Sequence, residues 1–225
     1  MQWHHALKLF EHTLASERDR PDVHAAMLQR ADPHTITHVS SQIQQALAQG
    51  ERVWMTSDLH IGHANIIRHC DRPFESVGGM NEHLVTQLSK VPDAEWLLIV
   101  GDLAMGPHEV AMPWIRRLPG KKVLVLGNHD LMRNGACRYV DERNAADDGP
   151  VFEAIVPFLT WQGCGGQCGQ RHLEVFVSHY PVIVPHSMPR LVNYHGHLHR
   201  QVLPPTESTH FVNVGWDVNR GIVCL

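Results

Sequence analysis

Five short polar pieces of this chain each follow an apolar, strand-like run: Ser57-Asp58-Leu59-His60, Gly101-Asp102, Gly127-Asn128-His129-Asp130, Ser178-His179-Tyr180 and Gly196-His197-Leu198-His199. That arrangement constrains the fold more than any property of the whole chain. From Arg52 onward, short apolar runs alternate with amphipathic stretches, as expected of strands and helices layered on a sheet. Residues 53–56, 96–100 and 123–126 read as the first strands, and 80–88 and 108–118 as helices between them, with Pro119-Gly120 closing the second. The pattern is β-α-β-α-β, an α/β chain. Beyond a polar region at 141–150, the segments 151–156, 173–177, 191–194 and 211–214 read as strands joined by turns, in a mixed or antiparallel sheet.

In an open α/β sheet, ligand groups gather beyond the carboxyl ends of the strands. Asp58 and His60 end the first strand, Asp102 the second and Asn128 the third; His179, His197 and His199 follow later strands. Carboxylate, amide and imidazole groups in this order suit a metal-dependent hydrolytic site. Gly101 and Gly127 let the chain turn sharply off a strand and approach a charged centre, where a Cβ would obstruct. Histidine is the outlying component at 19 residues, and neutral imidazole is the commonest metal ligand. Most of these histidines need not be ligands: His4, His5, His12, His24, His34 and His38 fall in an N-terminal stretch that looks helical and solvated.

Residues 1–50 are expected to form a helical appendage to a domain at 51–225, open to packing, oligomerisation or lid roles, with Pro21 and Pro33 breaking it into pieces. The net charge of −4 provides no basic footprint, so sequence-independent binding to nucleic acid is not favoured. The longest apolar run, 96–100, is far short of the roughly 20 residues a membrane-spanning helix needs. The N-terminus lacks the pattern of a secretory signal, so a cytoplasmic location is the expectation. Five scattered cysteines fit reduced thiols better than a disulfide framework. The glycine-rich piece 163–169 reads as a hairpin connection, and its Cys164 and Cys168 could chelate zinc or form a labile disulfide. The chain ends soon after Gly221, so no C-terminal specificity domain is expected.

The five pieces together resemble the calcineurin-like metallophosphoesterase superfamily, whose pattern is D-x-H, G-D, G-N-H-D/E, a strand-end His and G-H-x-H. The match spans Asp58 to His199, and the run from Asp58 to Ile67 is similar to a branch of small bacterial and phage phosphoesterases. The resemblance implies a four-layer α/β/β/α sandwich of two mixed sheets flanked by helices. It implies two divalent metal ions, one held by Asp58, His60, Asp102 and His199, the other by Asp102, Asn128, His179 and His197, with Asp102 as the bridge. It also implies His129 as general acid. Mn2+ is the first choice by resemblance, and a nitrogen and oxygen ligand set also suits iron, zinc, cobalt or nickel.

The protein-phosphatase branch carries a second Asp and an Arg after its second piece. Here that piece runs Gly101-Asp102-Leu103-Ala104-Met105-Gly106, so both are absent and the orientation of His129 is open; Asp130, adjacent, reads equally as a turn residue. The expected substrate is a small phosphodiester or phosphomonoester, with a nucleotide among the candidates. A nuclease and a non-enzymatic scaffold of the same fold are the competing readings. His63, Asn65, Arg68, Arg72 and Arg133 are candidates to reach a phosphate, and Trp216-Asp217 reads as a packed aromatic and a turn carboxylate. The oligomeric state is left open.

Overall fold

The computed structural model describes residues 1–17, 20–144, 148–163, 173–184 and 190–225. Three helices open the chain: α1 (Trp3–Ser16), α2 (Pro21–Gln29) and α3 (Pro33–Ala48). Pro21 and Pro33 delimit them by starting α2 and α3, where a missing amide leaves no bond unmade. Asp32 caps α3 by accepting from the Thr35 amide at 2.8 Å. Leu9, Phe10 and Leu14 on α1, and Ile36, Val39 and Ile43 on α3, are buried at helical spacing in the same apolar cluster as the strands that follow.

Two mixed sheets come next, as the resemblance implies. The first holds β1 (Val53–Thr56), β2 (Trp96–Val100), β3 (Lys121–Val125), β4 (Ala154–Val156) and β9 (Val223–Cys224) in the order β4-β3-β2-β1-β9. Strands β1 to β4 are parallel, and β9 pairs antiparallel with β1. Helices α4 (Ala64–His69) and α5 (Val77–Leu88) connect β1 to β2, and α6 (His108–Ile115) connects β2 to β3. Every residue of β2 is buried, which is why its sequence is uninterruptedly apolar. The second sheet has the order β5-β6-β7-β8, from β5 (Phe158–Gln162), β6 (Glu174–Ser178), β7 (Leu191–His195) and β8 (Thr209–Asn213). There β5 and β6 are antiparallel, while β6, β7 and β8 are parallel. A short helix, α7 (Trp216–Asn219), precedes β9, and α3 packs against β5.

The differences from expectation have local causes. Strand β3 begins at Lys121 because Lys122 is buried with its ammonium donating to the carbonyls of Leu118 and Gly120. The strand expected at 151–156 is shorter, β4 beginning at Ala154, and joins the first sheet; β5, directly after Pro157 and opening the second sheet, is not expected from sequence. Helix α6 ends three residues before the expected 118, soon after Pro113. Cys164 and Cys168 lie outside the described residues, although β5 and β6, on either side of them, do pair antiparallel. Among the described residues, no helix is long and apolar enough to cross a membrane.

Candidate active site

The five polar pieces meet where the ends of the two sheets approach each other. Their loops are knitted by backbone bonds: Asp58 N donates to Gly101 O and His60 N to Asp102 O, each at 3.0 Å, while Gly196 N donates to His179 O at 3.0 Å. The sheets are joined by Trp216 N donating to Ser57 O at 2.9 Å and by His197 N donating to the Asp58 carboxylate at 3.1 Å. Asp58, His60, Asp102, His197 and His199 all take left-handed backbone angles, with φ between 49° and 67°. Asp and His tolerate that region better than most residues, and such strain collects at functional sites. Gly101 and Gly127 are required by close approach: a Cβ on the first would strike the His179 ring, and one on the second the Asp102 carboxylate.

Two compact ligand groups result. Asp58, His60 and His199 each offer an atom within 4.8 Å of the others, and so do Asp58, Asp102 and His179. One oxygen of Asp102, Oδ2, is 3.6 Å from His60 Nε2, 3.5 Å from His179 Nε2 and 3.9 Å from His129 Nε2. His179 donates through Nδ1 to Val100 O at 2.9 Å, which turns Nε2 toward Asn128 Oδ1 at 3.1 Å. His197 stands outside both groups, its ring 5.2 Å from that of His179 and its Nε2 3.9 Å from Glu17 Oε2.

Burial sets the electrostatics. It holds the His60 imidazole well below its usual range, hence neutral. Both ring nitrogens of His60 are buried without a hydrogen-bond partner. Burial pushes the Asp102 carboxyl up, but His179 outweighs it and leaves Asp102 well below the carboxylate range. Burial also raises Asp58, and depresses His197 to about 3 with help from the His179 charge. Cys70 lies within reach of His199 and Asp217, but burial lifts its thiol to about 11, against the thiolate a metal ligand must be.

Asp130 is fully buried and accepts from the amides of Asp102, Leu103 and Gly127, at 2.9, 3.0 and 2.8 Å. It therefore clamps the β2 and β3 loops together, and the turn reading is the one that fits. The His129 amide donates to Asp102 Oδ1 at 2.9 Å, while its ring sits edge-on to His60 and remains partly exposed.

Arg72 is a correction. Expected to reach a phosphate, it is buried with its guanidinium saturated: Nε and Nη2 bind the Asp217 carboxylate at 2.8 and 2.9 Å, and Nη2 and Nη1 donate to the carbonyls of Asp58 and Leu59. Asp217, read from sequence as a turn carboxylate, accepts these bonds and holds His199 Nδ1 at 2.9 Å. Burial works against ionisation of Asp217, but His199 and Arg72 together keep its carboxyl far below the usual range. Arg72 and Asp217 thus fix the Asp58 loop and the His199 ring through one ion pair. Nothing in the local sequence signals a pairing across 145 positions.

The other candidates divide. His63 lines a groove of about 520 Å³ with His60, His129, His197 and His199, whereas Asn65 and Arg68 are exposed on α4 and do not line it. Arg133 lines a second groove, also bordered by His129. His24, expected on the surface, is buried, its Nε2 3.1 Å from the Tyr180 hydroxyl; Tyr180 in turn packs 4.6 Å from the His197 ring. Its place beside Val23 and Met27 on the buried face of α2 was the available signal. Arg20, not singled out from sequence, donates through Nη1 to the Asn128 carbonyl at 2.8 Å.

Comparison with known proteins agrees with this geometry. The family model described as calcineurin-like phosphoesterase matches residues 51–217. The uncharacterized protein MJ1445 of Methanocaldococcus jannaschii is 35% identical over 82 residues, 35% of this chain and 47% of that protein; the chain thus spans about half the length of this relative. The Gene 66 protein of Mycobacterium phage D29 is 26% identical over 188 residues, covering 76% of this chain and 90% of the phage protein. A solved structure, the protein of unknown function AQ665 from Aquifex aeolicus, shares the fold with a TM-score of 0.53 at 21% identity, over 77% of this chain and 95% of the other.

Proposed function

Because the chain belongs to the calcineurin-like phosphoesterase family, we propose that it hydrolyses a small phosphodiester or phosphomonoester, nucleotide-derived esters included, in a cytoplasmic setting. Two divalent ions, manganese first, would be held by Asp58, His60, Asp102, Asn128, His179, His197 and His199. The observation that carries this reading is His60. A neutral buried imidazole with both nitrogens unpartnered, 3.6 Å from a buried carboxylate, is costly in any role except as a ligand. The central position of Asp102 Oδ2 between His60 and His179 supports its role as the shared ligand.

When bound, such ions supply Lewis acidity that activates water and offsets charge on the phosphoryl oxygens. The chain's own contribution is orientation and a proton. Arg72 and Asp217 hold the Asp58 loop and the His199 ring in place. His129, next to the ligands yet open to solvent, faces the leaving oxygen. A water that has released one proton to solvent forms its bond to phosphorus as the bond from phosphorus to the leaving oxygen breaks, and His129 Nε2 gives its own proton to the departing alkoxide. A positioned acid contributes roughly 10²–10⁴-fold.

The test is hydrolysis of bis(4-nitrophenyl) phosphate, a diester, and of 4-nitrophenyl phosphate, a monoester, by purified protein loaded with Mn2+. Turnover abolished by a chelator and restored by metal is expected. No turnover at full occupancy with manganese, iron, zinc, cobalt or nickel would refute the proposal.

A further inference from the structure

We infer that the leaving group of the substrate carries a second phosphate, or a dianion like it, taken up by Arg20, Arg133 and Arg138. This rests on the phosphoesterase reading above and narrows its substrate class. His129 borders two grooves of similar size. One, of about 520 Å³, holds the imidazoles of His60, His63, His197 and His199. The other, of about 510 Å³, contains none of the proposed ligands; Arg20, Arg133 and Arg138 line it, with Met105 and Met132 as apolar wall. A group that departs with the His129 proton, on the side away from the ligands, enters the second groove.

What sets the arginines there apart is that three of them line one groove, since Arg30, Arg68, Arg143, Arg190 and Arg220 also form no ion pair among the described residues. Arg52, Arg72, Arg116, Arg117 and Arg200 each form an ion pair with a carboxylate. Arg20, Arg133 and Arg138 form none among the described residues. Each guanidinium has five N–H donors. Arg20 makes one bond, to the Asn128 carbonyl, and Arg138 one, to the Gly106 carbonyl at 2.8 Å, with its Nε buried and unpartnered. Three cations lining one groove of a chain with net charge −4 give that groove a local positive potential that favours an anion. Guanidinium forks match the oxygens of a phosphate, whose bidentate recognition they favour.

Arg20 also comes from outside the matched family region of 51–217, at the start of α2, with φ at 54°. The N-terminal helices therefore add a charge-reading wall to the site. Glu17, near His197, and His24, behind Tyr180, come from the same part of the chain.

The experiment compares two methyl aryl phosphodiesters, one whose leaving phenol bears a para-phosphonate and one with para-nitro, in wild type, Arg20→Gln and Arg133→Gln/Arg138→Gln. Phenylphosphonate binding to metal-stripped protein is measured in parallel by calorimetry. The ratio of kcat/KM for the phosphonate ester over the nitro ester is expected to fall by about tenfold or more in each variant, the effect of losing a charge-assisted hydrogen bond. Phenylphosphonate affinity is expected to fall by a similar factor. Because Arg20 touches the Asn128 backbone, the Arg133 and Arg138 pair, which contact no proposed ligand, decides the case. An unchanged ratio and unchanged phenylphosphonate binding in that pair would overturn the inference. If neither ester turns over in wild type, the phosphodiester form of the reading above fails, while phenylphosphonate binding still judges the groove.

Discussion

The two grooves that meet at His129 are built in opposite ways. On the ligand side, the supporting groups are paired: Arg72 spends every nitrogen on Asp217 and on the carbonyls of Asp58 and Leu59, Asp217 holds both Arg72 and His199, and Asp130 binds three amides. On the other side, Arg20 and Arg138 make one bond each and keep donors to spare. Fully paired buried charge fixes geometry, whereas partly paired charge at an open groove is free for a ligand. One residue type, arginine, serves both ends, and only its partners distinguish them.

The sharpest way to break this comparison is at Asp102 and His129. Asp102→Asn is expected to lose metal and turnover together, a larger loss than the roughly 10²–10⁴-fold attached to a positioned general acid. His129→Ala is expected to lose that 10²–10⁴-fold in kcat on an ester with a poor leaving group while metal analysis finds the ions still bound. Loss of metal from His129→Ala would move His129 into the ligand set.

Next comes Arg72. Its ion pair with Asp217 is completely buried on both sides, so Arg72→Met leaves a carboxylate without its partner and is expected to cost about 3–5 kcal/mol of stability. Urea unfolding of the metal-free protein measures it. A cost below about 1 kcal/mol, the level of a solvent-exposed pair, would show that Arg72 is not the brace described above.

Asp217→Asn breaks the same buried pair from the other side, and the smaller effect that belongs to Asp217 alone is on the metal. Asp217→Asn is expected to weaken metal binding by roughly 10–100-fold, as for other partners that orient a ligating histidine. It also has a pH signature in the metal-free protein. Asp217 is held below its unfolded pKa, so its stabilising share is complete above the ordinary carboxylate range and is lost as pH falls through the folded value. His199 loses affinity for its proton through burial but gains more from Asp217 and ends up raised; its share is complete below the imidazole range and fades as pH rises through the folded value. Asp217→Asn should flatten both limbs of the curve of stability against pH. An unchanged acid limb would contradict the pairing.

Much of the fold was legible because strands such as β2 are buried on both faces and therefore apolar without interruption. The four-residue run of β1 was read to the residue. Strand β5 was not, because it begins directly after Pro157, beyond the end of the strand expected at 151–156, and β9, with two residues, carries no periodicity to read. The placement of Asp58, His60, Asp102, Asn128, His179, His197 and His199 just beyond strands was legible, because each follows an apolar run. Arg72 was misread for a general reason: an arginine close in sequence to a ligand and one buried behind it look identical until its partner, 145 positions away, is known.

The sequence by itself determined most of the strands and helices and the polar residues that follow the strands, and those residues carry the resemblance that gives the class of chemistry. Local patterning is enough for that, since burial imposes period and composition on each short segment. Only the tertiary structure decided which charges are paired. It placed His24 behind Tyr180, Asp217 between Arg72 and His199, and Arg20 beside Asn128, because partners distant along the chain meet only when the two sheets and the N-terminal helices close around a common core.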